Sequence, residues 1–127
     1  MLYGDDALNV LSEQIVLGGI EVHREVGPGL LESVYETALC IELKAAGLDV
    51  KRQVGFPLCY KGELISEHRP DLIVGHQIVV EIKCIERFEP IHTAIMLTYL
   101  RATHLRLGLL LNFKTAYMKQ GIKRVML

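Results

Sequence analysis

Three charged side chains lie at the ends of two apolar runs in the middle of the chain. Asp71 precedes Leu-Ile-Val, and Ile-Val-Val is followed by Glu81, Ile82 and Lys83. Apolar residues at consecutive positions predict strands that are buried on both faces, and the Gly-His-Gln between them predicts a hairpin. A charge at the end of a buried strand needs a partner, a metal ion or water. These three charged residues are therefore the first candidates for a catalytic or metal-binding site.

The length of the hairpin loop decides whether these charges meet. If Gly-His-Gln forms a three-residue loop, Val74 pairs with Ile78 and Asp71 lies opposite Glu81. Glu81 and Lys83 share a face because side chains alternate along a strand. A two-residue loop would place Asp71 on the other face unless a bulge restored it.

Such a group is suited to binding a divalent cation. Hard cations such as Mg²⁺ take oxygen ligands, so two carboxylates on paired strands can hold one, with the backbone carbonyl of Ile82 as a further ligand. A bound ion can activate a water molecule and neutralise charge on a phosphodiester, while Lys83 positions the water or stabilises that charge. The alternative is a structural ion pair that joins Lys83 to Asp71 or to Glu81.

Length and composition limit the other possibilities. The chain has 127 residues, half of them hydrophobic, which suits one domain over 1–127 with a sizeable core. Its net charge of −1 offers no global basic field, so a polyanion site must be local or shared with a partner. Without an apolar run of about 18 residues or a signal-peptide pattern, we expect a cytoplasmic protein with no membrane span. The three cysteines lack CxxC spacing and predict reduced thiols rather than a zinc site.

The first helix is predicted by apolar residues at helical spacing. Asp5 or Asp6 is its expected N-cap, and its expected end is near Val26. His23 falls in the last turn, where positive charge suits the helix dipole.

A second helix is predicted from about residue 30 to residue 46, ending at Gly47. Glu36 is expected to be solvated, and on spacing alone Glu32 is a surface or first-turn glutamate. Leu39 and Leu43 are expected to extend the buried side beyond the main apolar stripe, which comprises Leu31, Val34, Ala38, Ile41 and Ala45.

Strands follow the two helices. Residues 50–60 predict one edge or bulged strand because they contain Pro57, and Lys61-Gly62 predicts a hairpin turn. The next strand is expected to continue from residue 63 through Pro70 into the Asp71 segment.

A third helix is predicted from Pro90 to about Arg101. The apolar run 105–113 then predicts a central strand, which should be parallel to the strand before the helix. Residues 122–127 can add a last edge strand. The order α-α-β-β-β-α-β-β indicates an α/β or α+β domain with a mixed sheet.

Several motifs resemble the GxxExxY protein family, and they extend from about residue 15 to the end of the chain. The motif that names the family is Gly29-Leu30-Leu31-Glu32-Ser33-Val34-Tyr35. The other similar stretches are Val22-His23-Arg24, Arg69-x-Asp71, Glu81-x-Lys83, His92-x-Ala94, Tyr99–Thr103 and Gly108–Phe113. This resemblance implies the PD-(D/E)XK nuclease superfamily, with a restriction-endonuclease-like αβββαβ core and, here, one extra N-terminal helix.

The same resemblance implies roles for individual residues. Asp71 and Glu81 would be metal ligands, and Lys83 would be the catalytic lysine. Glu32 would be the additional acidic residue of the metal site, and Tyr99 would match the tyrosine on the following helix. The implied activity is Mg²⁺- or Mn²⁺-dependent hydrolysis of DNA, with RNA as an alternative substrate.

One position departs from the family pattern. Related sequences often carry glutamine four residues before the tyrosine, where this chain has Ile95. His92 could substitute, although a helix-start histidine without a chemical role is expected. Tyr35 is expected to be a packing residue, and it joins His23 as a candidate for a supporting role. The missing glutamine also fits a non-catalytic module, or a subunit that needs a homodimer or another protein partner.

Overall fold

A computed structural model describes residues 3–127, with side chains from residue 6. Three helices pack against a five-stranded mixed sheet, and two further strands form a separate hairpin. The elements are α1 (Tyr3–Val26), α2 (Glu32–Ala45), β1 (Val50–Arg52), β2 (Phe56–Tyr60), β3 (Glu63–His68), β4 (Leu72–Val74), β5 (Ile78–Lys83), α3 (Pro90–Thr103), β6 (Leu107–Asn112) and β7 (Ile122–Met126), with a 3-10 turn over Met118–Gly121 before β7. Within the described residues, no helix has both the length and the apolar character to cross a membrane.

The main sheet has the strand order β1-β4-β5-β6-β7. Val74 pairs with Ile78, which confirms the predicted three-residue loop. Gly75 and His76 in that loop both adopt positive φ angles, 59° and 58°. After the α3 crossover, β6 lies parallel to β5, as predicted, and β7 forms the last edge.

Both faces of the central strands are buried, in agreement with their continuous apolar sequences. Ile78, Val80 and Ile82 of β5 pack with residues of α1 and α2. Val79 points to the opposite face, where it packs with Met96 of α3. Because side chains alternate along a strand, Glu81 and Lys83 project to the same face as Val79, which is the face covered by α3.

Helix α1 begins earlier than predicted and ends where expected, at Val26. Because it begins at Tyr3, Asp5 and Asp6 lie inside it, and the prediction that one of them is the N-cap is wrong. Helix α2 ends at Ala45 and is followed by Gly47 with φ +83°, which confirms the glycine stop.

The main apolar stripe predicted for the buried face of α2 is wrong. Leu31 and Ile41 of the expected core stripe are 74 % and 65 % exposed. The helix buries Leu39 and Leu43, as predicted, together with Tyr35 of the adjacent face. That face carries the larger side chains, so its burial removes more apolar surface from water.

The predicted strand over 50–60 is two strands in two different sheets. The chain leaves the main sheet at Gln53, which has a left-handed φ of 54°. Strands β2 and β3 then pair only with each other, through the predicted turn at Lys61 and Gly62. Strand β3 ends at His68 and does not run into β4, because Pro70 lacks the N–H that a ladder needs.

Candidate active site

Asp71 and Glu81 are locked to one another by the β4–β5 hairpin. The backbone N–H of Asp71 donates to Oε1 of Glu81 over 2.7 Å, and the N–H of Ile82 donates to Oδ2 of Asp71 over 2.8 Å. Each carboxylate is thus fixed by a peptide group of the other strand. The two acidic groups lie together, as the predicted register requires.

Lys83 lies beside this pair at the end of β5. Its Nζ is 3.9 Å from Oε2 of Glu81, and its side chain is 25 % exposed. A hydrogen-bonded ion pair has donor–acceptor distances below about 3.2 Å. The ammonium is therefore near the carboxylate and also open to solvent, so it can turn toward an incoming anion.

Glu36 is an acidic residue of the site that sequence reasoning missed. It was expected to be solvated, but it is only 8 % exposed. Its Oε2 accepts from Nε and Nη2 of Arg52 over 3.2 and 3.1 Å. Its position next to Tyr35 places it on the buried face of α2, so a correct choice of that face would have identified it.

Gln53 connects Glu36 to Asp71. Its Nε2 donates to Oε1 of Glu36 over 3.0 Å and to Oδ1 of Asp71 over 3.2 Å. Glu36 of α2, Asp71 just before β4 and Glu81 of β5 are therefore joined in one chain of contacts. Arg52 at one end and Lys83 at the other are the two cations of this chain.

Burial makes ionisation of the central carboxyls unfavourable. Desolvation, together with the charge of Asp71, raises the pKa of Glu81 to about 8. Desolvation is also the main cause that raises the pKa of Asp71 to about 6; the charge of Glu36 adds to it, while hydrogen bonds from Ile82 and Gln53 oppose it. Raised carboxyl pKa values of this kind are common at functional sites, and they also occur in structural ion-pair networks.

The donor set fits a hard divalent cation. With all groups ionised, Glu36, Asp71 and Glu81 carry three negative charges, against two positive charges on Arg52 and Lys83. The available ligands are carboxylate oxygens, which suit Mg²⁺ or Mn²⁺ rather than softer metals. No group of three His, Cys, Asp or Glu side chains in the described part of the chain forms a preformed metal cage.

Glu32 occupies a different position from Glu36. Its Oε2 accepts from the backbone N–H of Cys84 over 3.1 Å, one residue beyond Lys83. Glu32 therefore contacts the end of β5, whereas Glu36 is linked to Asp71 through Gln53.

Tyr99 of α3 lies close enough to Asp71 and Glu81 to interact with their charges. Its pKa is raised, first by burial and then by the charges of Glu81 and Asp71. Its ring packs edge-on against His68, with 5.7 Å between centroids. Ile95, one turn earlier on the same helix, is 40 % exposed and presents no polar atom.

His92 belongs to the N-terminal cap of α3. Its Nδ1 accepts from the backbone N–H of Glu89 over 2.8 Å, so the histidine lies at the helix start, as predicted. This contact uses only Nδ1, so the Nε2 atom of His92 takes no part in it.

Tyr35 and His23 make contacts with the main chain. The Tyr35 hydroxyl donates to the carbonyl of Gly27 over 2.6 Å, and its ring stacks on Phe113 with centroids 4.4 Å apart. His23 was expected to suit the helix dipole; it is buried, and its Nε2 lies 2.8 Å from the carbonyl oxygen of Thr115. Both residues join α1 and α2 to the region that follows β6.

A family model of the PD-(D/E)XK nuclease superfamily matches residues 9–125. The chain belongs to the PD-(D/E)XK nuclease superfamily. No curated protein and no solved structure matches the sequence. The αβββαβ core of this PD-(D/E)XK protein consists of α2, β1, β4, β5, α3 and β6, with α1 before it and the β2–β3 hairpin inserted between β1 and β4.

Proposed function

We propose that this protein is a divalent-metal-dependent nuclease that hydrolyses phosphodiester bonds in DNA. Membership of the PD-(D/E)XK superfamily supports the reaction class. The observation that carries the proposal is the pair of reciprocal hydrogen bonds between Asp71 and Glu81, which holds one half-buried and one buried carboxyl, both with raised pKa values, at one end of the hairpin. RNA is the alternative substrate.

The metal ligands proposed are Oδ1 of Asp71 and Oε2 of Glu81, the carboxylate oxygens that the strand peptides do not use. The Ile82 carbonyl is a further ligand, because the N–H and C=O of a strand residue point to the same side and its N–H faces Asp71. A bound Mg²⁺ supplies an activated water and neutralises charge on the phosphate. Lys83, open to solvent beside Glu81, stabilises the negative charge that develops on the phosphate.

Cleavage of supercoiled plasmid and single-stranded DNA in Mg²⁺ or Mn²⁺ tests this proposal. Asp71→Asn and Lys83→Ala should each reduce the rate by roughly 100-fold or more, the order seen when one charge-stabilising group is removed. Asp49→Asn and Lys51→Ala are matched controls, since these residues form an exposed pair 3.8 Å apart at the opposite end of β1. Cleavage by the Asp71 and Lys83 variants at the wild-type rate would remove the proposed site.

The third acidic residue is proposed to be Glu36, and Glu32 is the competing assignment. The effect of the Glu36 charge on the pKa of Asp71 and the bridge through Gln53 support Glu36. Glu36→Gln should weaken Mn²⁺ binding in calorimetry more than Glu32→Gln does. The reverse order would return the role to Glu32.

A second candidate is a nuclease-fold module that binds metal and nucleic acid without turnover. Ile95 favours it, because an exposed aliphatic side chain there cannot hydrogen-bond a water molecule or a phosphate. Mn²⁺ binding that is lost in Glu81→Ala, combined with no cleavage of DNA or RNA, would establish this candidate. Absence of both binding and cleavage would refute both functions.

A further inference from the structure

The side-chain amide of Gln53 lies between two acidic groups of the site. Both hydrogens of Nε2 are used, one toward Oε1 of Glu36 at 3.0 Å and one toward Oδ1 of Asp71 at 3.2 Å. An ionised carboxylate only accepts hydrogen bonds, so the amide nitrogen and not the amide oxygen must face the pair. The amide is therefore a neutral bridge between two like charges.

The backbone of Gln53 is anchored to the same site. Its N–H donates to the carbonyl of Asp71 over 3.1 Å, and its carbonyl accepts from Nη1 of Arg69 over 3.2 Å. Its φ of 54° is unfavourable for a residue with a Cβ, and glycine would adopt it without strain. A side chain is present where backbone conformation alone favours glycine, which points to a role for the amide.

The bridge leaves room for a cation. Each carboxylate oxygen has two lone pairs, and one hydrogen bond occupies only one of them. The amide can therefore hold Glu36 and Asp71 close together while the second lone pair of each oxygen stays available. Without it, the two carboxylates would repel one another and separate toward solvent.

We propose that Gln53 is a positioning residue of the metal site, whose amide holds Glu36 and Asp71 ready to receive one divalent cation. This inference rests on the proposed metal-dependent function. It adds a residue whose side chain carries no charge and need not touch the ion. The amide holds the two negatively charged groups close together before the ion binds.

Two variants separate this role from a merely structural one. Gln53→Met keeps a long unbranched side chain and the strained backbone, whereas Gln53→Gly removes the side chain and the strain. We expect both to weaken Mn²⁺ binding in calorimetry about tenfold, as the loss of hydrogen bonds to charged groups implies. Their melting temperatures in EDTA should differ by roughly 3–5 °C in favour of glycine.

Gln77→Met, in the exposed loop at the other end of the β4–β5 hairpin, is the matched control and should leave Mn²⁺ affinity unchanged. In DNA cleavage, the Gln53 variants should raise the KM for Mn²⁺ and leave kcat at saturating metal within about twofold of wild type. Wild-type affinity in both Gln53 variants, or affinity that follows melting temperature, would overturn the role of Gln53 alone. A wild-type protein that binds no Mn²⁺ would overturn the proposed function as well.

Discussion

Replacement of Glu81 by glutamine should stabilise the metal-free protein. Glu81 is 5 % exposed, and burial together with the charge of Asp71 raises its pKa to about 8. Glutamine has nearly the same shape, carries no charge, and keeps an oxygen that can accept the Asp71 N–H. The substitution therefore removes the unfavourable charge and preserves the hydrogen bond across the hairpin.

The size of the effect follows from the pKa difference. The carboxyl ionises near 4.5 when the chain is unfolded and near 8 when it is folded, so the folded state holds the proton more tightly. Stability that depends on this group is therefore lost as the pH rises from 4.5 to 8, by about 1.4 kcal/mol for each pH unit. At pH 7 the difference between Glu81→Gln and wild type should be about 3 kcal/mol, or roughly 10 °C in melting temperature.

Thermal unfolding in EDTA between pH 4.5 and 8.5 measures this difference. It should be small at pH 4.5 and largest at pH 8, and Mn²⁺ should stabilise wild type but not the variant. Glu13→Gln, at an exposed position of α1, is the control and should show no such pH dependence. A Glu81→Gln protein no more stable than wild type at pH 8 would refute the claim that this carboxylate is costly to bury.

Three further predictions concern the site and its support. Because the pKa values of Asp71 and Glu81 are raised to about 6 and about 8, protons compete with the ion, and Mn²⁺ affinity in calorimetry should increase from pH 5.5 to pH 8.5; a flat profile would contradict this. Tyr35→Phe should lower stability in urea unfolding by about 1–2 kcal/mol, since it leaves a backbone carbonyl and a backbone N–H without their partner; an unchanged midpoint would count against it. Gly121→Ala should lower the free energy of unfolding by at least about 2 kcal/mol, because the new Cβ would lie 2.2 Å from the carbonyl oxygen of Asn112. A wild-type melting temperature would show that this turn can open to accommodate the methyl group.

The centre of the site could be predicted because local rules determine it. The two apolar runs leave only the loop length open, and the three-residue alternative gives the observed β4–β5 register, which brings Asp71 to Glu81. The position of Lys83 then follows from strand alternation. None of these steps needs to know how the helices pack.

Glu36 and Gln53 could not be found in this way. Helix α2 has two adjacent faces that are both rich in apolar residues, and only packing against α1 and the sheet selects the one that buries Glu36. At Gln53 the chain leaves the sheet through a left-handed conformation, for which a non-glycine residue gives no signal. The third acid and its bridge thus depend on tertiary contacts rather than on periodicity.

The β2–β3 hairpin begins and ends at the acidic centre. Gln53 precedes the hairpin and Asp71 follows it. Their main chains are hydrogen-bonded over 3.1 Å, so the two ends of the hairpin are held side by side. Extra sequence inserted at the exposed Lys61-Gly62 tip would leave the two ends of the hairpin in place and add little to the entropic cost of loop closure. The tip is therefore a suitable attachment point for a fluorophore or a fused domain that leaves the acidic centre in place.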